Sequence, residues 1–171
     1  AIWAAVGFLS GSIPWALLLG RAFLGKDVRG VGDGNPGVVN LWKLDGWVLG
    51  SISLILETAK SCVPAYFAVR YLGELNGVTQ QLGLALVVLA PVVGHGWSPF
   101  LRFRGGKALA TTLGSWMAIT NGIALPVACV FLILMHGLQR NHAITVTFTL
   151  LGLLAVFLSV TLQPYVALFW F

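Results

Sequence analysis

The chain has 171 residues, 58% of them apolar and 9% charged, with a mean hydropathy of +0.91. Soluble domains carry roughly 25% charged residues, and the ten basic and five acidic residues here cannot cover a water-facing surface of this size. An ordinary soluble domain is excluded, and the composition points to a polytopic helical membrane protein. The net charge of +5 implies no nucleic-acid partner, because a basic cytoplasmic rim is what membrane insertion requires.

In chain order, Ala1 to Gly20 carries no charge and reads as a first span. It lacks the basic n-region and small-residue cleavage site of a signal peptide. A polar loop follows, from Arg21 to Asp45. Gly46 to Val69 is the second span, interrupted by Glu57 and Lys60, and Leu75 to Leu101 is the third. Ala108 to Gln139 is too long for one crossing of a core about 30 Å thick. Asn121-Gly122 and Pro126 break it into two short helices. Asn141 to Phe171, interrupted at Gln163-Pro164, supplies one span and the start of another. None of these runs alternates in hydrophobicity as barrel strands do. The expectation is an all-α bundle of six to seven transmembrane helices, a single domain over residues 1–171. The final apolar run, Val166 to Phe171, looks cut, and the chain is expected to continue beyond it. Cys62 and Cys129 lie in apolar runs and read as small core residues.

The basic residues fall unevenly. Arg21, Lys26, Arg29 and Lys43 lie in the first loop, Arg102, Arg104 and Lys107 in a second, and Arg140 marks a third. These eight of ten place their face in the cytoplasm and the N-terminus outside. Such a rim also gathers anionic lipids or substrates.

The two long loops carry the chemistry. In the first, Gly32, Gly34 and Gly37 satisfy G-x-G-x-x-G. That spacing means dinucleotide binding only between a strand and a helix, and here it follows a membrane span. Closely spaced glycines nevertheless let backbone N–H groups converge on an anion, and Arg29 offers a fork to phosphate. A tight interfacial turn of Gly, Asn and Pro is the structural alternative. In the second loop, Gly105-Gly106-Lys107 is expected to open the next helix and turn its amides toward an anion. It is not a Walker A loop, since the earlier Gly and the following Ser or Thr are missing. Arg102 and Arg104 serve equally as membrane anchors. Glu57 and Lys60, three apart inside a span, form either a structural pair or part of a site. His95 ends its span beside Trp97, in the basic loop. No metal-ligand spacing is present, no cofactor is expected, and no protein nucleophile with its base stands out. Amides, Arg and Lys suit substrates that bring their own phosphates.

Ser10-Gly-Ser12-Ile-Pro14, Arg29, Gly32-x-Gly34-Asn35-x-Gly37-x-x-Asn40, Glu57-x-x-Lys60, Gly94-His95 and Phe103-Arg-Gly105-Gly106-Lys107-x-x-Ala110-Thr111 resemble the motifs of the bacterial PlsY family of membrane glycerol-3-phosphate acyltransferases, over roughly residues 7–115. The resemblance implies seven helices in the bacterial inner membrane and a site facing the cytoplasm. It implies transfer of a fatty acyl group from acyl phosphate to the 1-hydroxyl of glycerol 3-phosphate, giving lysophosphatidate for phospholipid synthesis. An enzyme producing acyl phosphate is a candidate partner. By position, Ser12, Arg29, His95 and Lys107 would be catalytic. Gly32, Gly34, Asn35, Gly37, Asn40, Lys60, Arg104, Gly105 and Gly106 would bind substrate. The family's third motif, a pair of serines, should fall near residues 140–143, where Arg140 and Asn141 stand as replacement donors. Asp33 replaces the family's usual Ser, Val39 its Thr, Glu57 its Asp and Ser61 its Gly. A non-catalytic relative that keeps the fold and an anion-binding loop is the alternative.

Overall fold

The computed structural model describes residues 2–72, 77–138 and 142–161. Among these all regular structure is helical: α1 (Ile2–Ser12), α2 (Trp15–Leu24), α3 (Val38–Asp45), α4 (Trp47–Leu72), α5 (Val78–Gly96), α6 (Leu109–Ile119), α7 (Ala124–Leu138) and α8 (His142–Thr161). Among the described residues, three stretches are long and apolar enough to cross a membrane: Ile2–Leu24, Trp47–Tyr71 and Val78–Leu101. Large apolar side chains such as Ile55, Phe67, Leu86 and Ile133 point outward, as a surface facing lipid requires.

Three local departures from the expected elements have physical causes. The first apolar run is two helices, because Pro14 lacks an N–H and its ring clashes with the carbonyl four residues back; Ile13 N–H closes instead on Ser10 O at 3.2 Å. The first polar loop contains α3, whose Val38, Asn40 and Leu41 turn inward at helical spacing. The break near Asn121-Gly122 occurs as expected, both residues adopting positive φ. The 11 residues of α6 rise only about 16 Å, roughly half a hydrocarbon core.

Contacts divide the chain into two units, Ala1–Ile119 and Thr120–Phe171. In the first, α1 packs on α5 and α4 packs on α6, α3, α1, α5 and α2. Gly11 lies against Pro91, so close that any Cβ would overlap the proline's backbone. Small residues permit such approaches where lipid gives helices little hydrophobic reason to associate. Ala16, Leu17, Val28 and Leu41 form a buried apolar cluster beneath the first polar loop. In the second unit α7 packs on α8, with Gly152 against the Phe131 ring.

Candidate functional site

The break at Pro14 frees backbone groups inside the first unit, and α4 answers them. Ala16, at the start of α2, has an N–H without a helical acceptor and donates to Glu57 Oε1 at 3.4 Å. Lys60, one turn along α4, donates from Nζ to Ile13 O at 2.8 Å. The two charges lie 2.6 Å apart, with side chains 1% and 2% exposed. Glu57 Oε2 takes the Lys60 ammonium as its partner in this buried ion pair.

His95, near the end of α5, completes this cluster. Its Nδ1 lies 2.8 Å from Lys60 Nζ, 3.1 Å from Glu57 Oε2 and 3.2 Å from Thr111 Oγ1 of α6. Lys60 Nζ can only donate to Nδ1 and Glu57 Oε2 can only accept from it, so these partners fix the position of the ring and turn Nε2 away from them. That nitrogen abuts Gly106, where any Cβ would strike it. Ser12, Pro14, Pro36, Lys60, His95, Ser98, Leu101 and Gly106 line a narrow crevice above the cluster. Ser12 Oγ donates to Phe8 O at 2.7 Å, and Ser98 Oγ donates to Ser12 O at 2.6 Å, fixing the end of α5 to the end of α1.

The first polar loop is built on two carboxylates. Asp27 opens a single 3-10 turn, Val28–Gly30, and accepts from Arg29 Nε at 3.0 Å, Arg29 Nη2 at 2.7 Å and Arg21 Nη2 at 2.8 Å. The Arg29 hydrogen bonds hold the Asp27 carboxyl well below the usual carboxylate range and in turn raise Arg29. Arg29 is thereby oriented while guanidinium donors remain for a ligand. Gly32 and Gly34 have φ of +62° and +75°, a region that favours glycine. Asn40 Oδ1 packs where a Gly32 Cβ would stand. The Asn40 amide donates to Asn35 O at 2.9 Å and to Asp33 Oδ1 at 3.0 Å. Lys107 reaches from the second loop to Asp33 Oδ2 at 2.7 Å. The two loops therefore meet.

The donors from Lys107 and Asn35 hold the Asp33 carboxyl far below its ordinary value. Both loop carboxylates thus contribute stability that is fully present above the unfolded carboxylate pKa of about 3.9. It is lost only as pH falls through their lower folded values. Neither should titrate between pH 5 and 8 when followed by carboxyl-carbon NMR; a titration in that window would break the loop geometry described here.

An open groove of about 810 Å³ lies beside these loops, lined by Arg21, Arg29, Arg102 and Arg104 together with Ile13, Pro14, Leu17, Leu18, Phe100 and Leu101. Its mixture of guanidinium and apolar walls suits an amphiphilic anion.

Ser12, Lys60, His95 and Gly106 come together in the crevice, and Gly32, Asn35, Asn40 and Lys107 gather around Asp33. Arg29 and Arg104 share the groove. Gly34 shapes the loop through its positive φ, and Gly37 caps α3. The expected role of the Gly105 and Gly106 amides changes, because they donate to Gly96 O and His95 O at 3.0 and 3.2 Å. They close the second loop onto α5 instead of facing an anion. Arg140 and Asn141 lie outside the described residues. Sequence reasoning left Thr111, Asp27 and Arg21 out of the site, and read Glu57 as either a structural partner of Lys60 or part of the site. Glu57 was visible as a charge inside a span, whereas Asp27 and Arg21 carry no signal beyond lying near Arg29.

Comparison with known proteins decides the family. The family model described as Glycerol-3-phosphate acyltransferase matches residues 1–171. The chain belongs to this family. Among curated relatives, a glycerol-3-phosphate acyltransferase of Anaeromyxobacter sp. (strain Fw109-5) is 45% identical over 122 residues, covering 71% of this chain and 59% of its own. Another, from Anaeromyxobacter dehalogenans (strain 2CP-1), is 39% identical over 150 residues, covering 84% and 70%. Glycerol-3-phosphate acyltransferase 1 of Thermotoga maritima is 39% identical over 116 residues, covering 68% and 55%. The chain thus spans 55% to 59% of the length of several of these relatives. The crystal structure of PlsY (YgiH), an integral membrane glycerol 3-phosphate acyltransferase, superposes in its glycerol 3-phosphate form with a TM-score of 0.83 at 26% identity. That match covers 98% of this chain and 80% of the PlsY chain. The lysophosphatidic acid form gives 0.81 at 25% identity. This chain is a membrane protein of that fold, all its regular structure helical among the described residues.

Proposed function

We propose that the chain is the acyltransferase domain, over residues 1–171, of an enzyme that moves a fatty acyl group from acyl phosphate to glycerol 3-phosphate. The substrate's 1-hydroxyl attacks the acyl carbonyl carbon. A new ester C–O bond forms, the bond from that carbon to the phosphate oxygen breaks, and inorganic phosphate leaves with the hydroxyl's proton. No protein nucleophile is required, and positioning and charge stabilisation carry the step.

The observation that carries this reading is the meeting of an asparagine and lysine cradle with a groove that is both arginine-lined and apolar. Arg29 and Arg104 would hold a phosphate at the groove, and Lys107 with Asn35 and Asn40 would hold the other. His95 Nε2, on a ring positioned by Lys60 and Glu57, would face the crevice beside Ser12. The acyl chain would run along Leu17, Leu18 and Phe100 to the lipid. The gathering of Arg21, Arg29, Arg102, Arg104 and Lys107 about one site supports a cytoplasmic face in the inner membrane, with the N-terminus outside. An acyl-phosphate-producing enzyme would supply the donor.

The test is phosphate release from a long-chain acyl phosphate by the purified full-length protein in bilayers, with and without glycerol 3-phosphate. Release that depends on the acceptor supports the reading, and background release by folded protein ends it. Arg29→Ala and Lys107→Ala should each raise the barrier by about 1.5–3 kcal/mol, the worth of a hydrogen bond to a charged group. Turnover would then fall roughly 10- to 150-fold, and wild-type turnover in both variants would remove them from the site. One observation favours a non-catalytic relative, namely the carboxylate of Asp33 inside the cradle.

A further inference from the structure

Asp33 is the one acidic side chain at the junction of the two glycine-rich loops among the described residues, and its contacts are unusual for a turn residue. Oδ1 accepts from the Asn35 N–H at 3.2 Å and from Asn40 Nδ2 at 3.0 Å. Oδ2 accepts from Asn35 Nδ2 at 2.6 Å and from Lys107 Nζ at 2.7 Å. The backbone contact is an ordinary Asx turn. The contacts from Asn40 and Lys107 are not, since those residues lie seven and seventy-four positions away. Together the four donors form an anion-binding set, and the anion in it belongs to the chain.

We propose that Asp33 is a built-in competitor for the substrate's phosphate, occupying the Asn35, Asn40 and Lys107 donors until a phosphate-bearing substrate displaces it, and thereby setting the affinity and selectivity of the site. The proposal rests on reading that cradle as the phosphate site of the acyltransferase.

The geometry permits the exchange. The Asp33 side chain is 48% exposed and Lys107 is 65% exposed, so the carboxylate can swing into water by rotation of its own side chain. Asn40, by contrast, is buried and fixed against Gly32, leaving its amide in place for the incoming oxygen. Like charges in contact repel even in water, and a phosphate dianion beside an unmoved Asp33 would meet about twice the repulsion that a monoanion meets. Displacement is therefore required for tight binding. A general-base role for Asp33 fits less well, because a carboxylate saturated by four donors is a weak proton acceptor.

The experiment is a titration of the purified full-length protein in bilayers with inorganic phosphate, read by 31P NMR, for wild type, Asp33→Asn and Asp33→Ser. Both variants should bind phosphate at least about tenfold more tightly and lower the KM for glycerol 3-phosphate. Lys107→Ala should cost more phosphate affinity in the Asp33→Asn background than in wild type, because its Asp33 partner is then gone. Phosphate affinity that is unchanged or weaker in both variants, at unchanged helical content, overturns the proposal and leaves Asp33 a turn residue. Tighter phosphate binding without acyl transfer by any variant would uphold the competitor and reject the acyltransferase reading.

Discussion

Glu57→Ala is expected to lower the unfolding free energy of the bundle by about 3–5 kcal/mol, the cost of removing one partner from a buried ion pair. The size follows from what stays behind. Lys60, with its side chain 2% exposed, would keep only Ile13 O and His95 Nδ1 at 2.8 Å each, neither carrying a compensating negative charge. Ala16 N–H would also lose its acceptor at the start of α2. An uncompensated charge within a span is costly by itself. Chemical unfolding in detergent micelles should report the loss directly, and a change below about 1 kcal/mol would mean that the pair is not the clamp described. The double variant Glu57→Leu/Lys60→Met should recover much of the stability, since apolar replacements of a buried pair are often neutral or better. It should not recover turnover, because His95 would then lack the Lys60 and Glu57 contacts that position its ring. Separate recovery of fold and activity distinguishes a positioning cluster from a merely structural one.

What the sequence made legible follows from how strongly each residue constrains its surroundings. The second span was readable because Gly46 to Val69 is apolar except for one pair of charges, and α4 covers Trp47–Leu72. The break between α6 and α7 was readable because Asn and Gly are residues that accept positive φ, as Asn121 and Gly122 do. The helix α3 was harder, since a loop rich in glycine and charge hides an eight-residue segment. Its signal was the i, i+3 spacing of Val38 and Leu41. Pro14 was visible in the sequence, but its consequence was not. Only the fold shows that the broken helix exposes Ile13 O and Ala16 N–H toward α4.

The site was legible as residue types and less so as pairings. Arg29, Asn40, His95 and Lys107 were singled out by motif spacing, and the fold brings Asn40 and Lys107 together on Asp33, sets His95 in the crevice and Arg29 in the groove. Which donors are already spent is a tertiary property. The Gly105 and Gly106 amides look available in sequence and are used by α5. Arg29 looks free and is clamped by Asp27. Asp33 looks like a charge opposed to function and proves to be held by the very donors that an anion would use. The electrostatics of the site are therefore a balance within the chain before any ligand arrives.

Gly11→Ala should cost about 3 kcal/mol, the upper end of what overpacking usually costs, although it adds a single methyl group. The methyl would overlap the carbonyl oxygen, Cα and carbonyl carbon of Pro91, and backbone atoms cannot turn away as a flexible side chain can. The helices α1 and α5 must separate, and Gly7, also seated against Pro91, moves with them. Ser12 follows Gly11 directly, while Gly94 and His95 lie one turn beyond Pro91, so the separation also widens the crevice. Turnover should fall together with the thermal midpoint in detergent. Gly83→Ala supplies the contrast within α5, because nothing lies within 4 Å of a Cβ there. It should stabilise by about 0.5–1 kcal/mol, the usual gain of alanine over glycine inside a helix. If Gly11→Ala proved as stable as wild type while Gly83→Ala behaved as stated, the close α1 to α5 seam would not be what holds the crevice in shape.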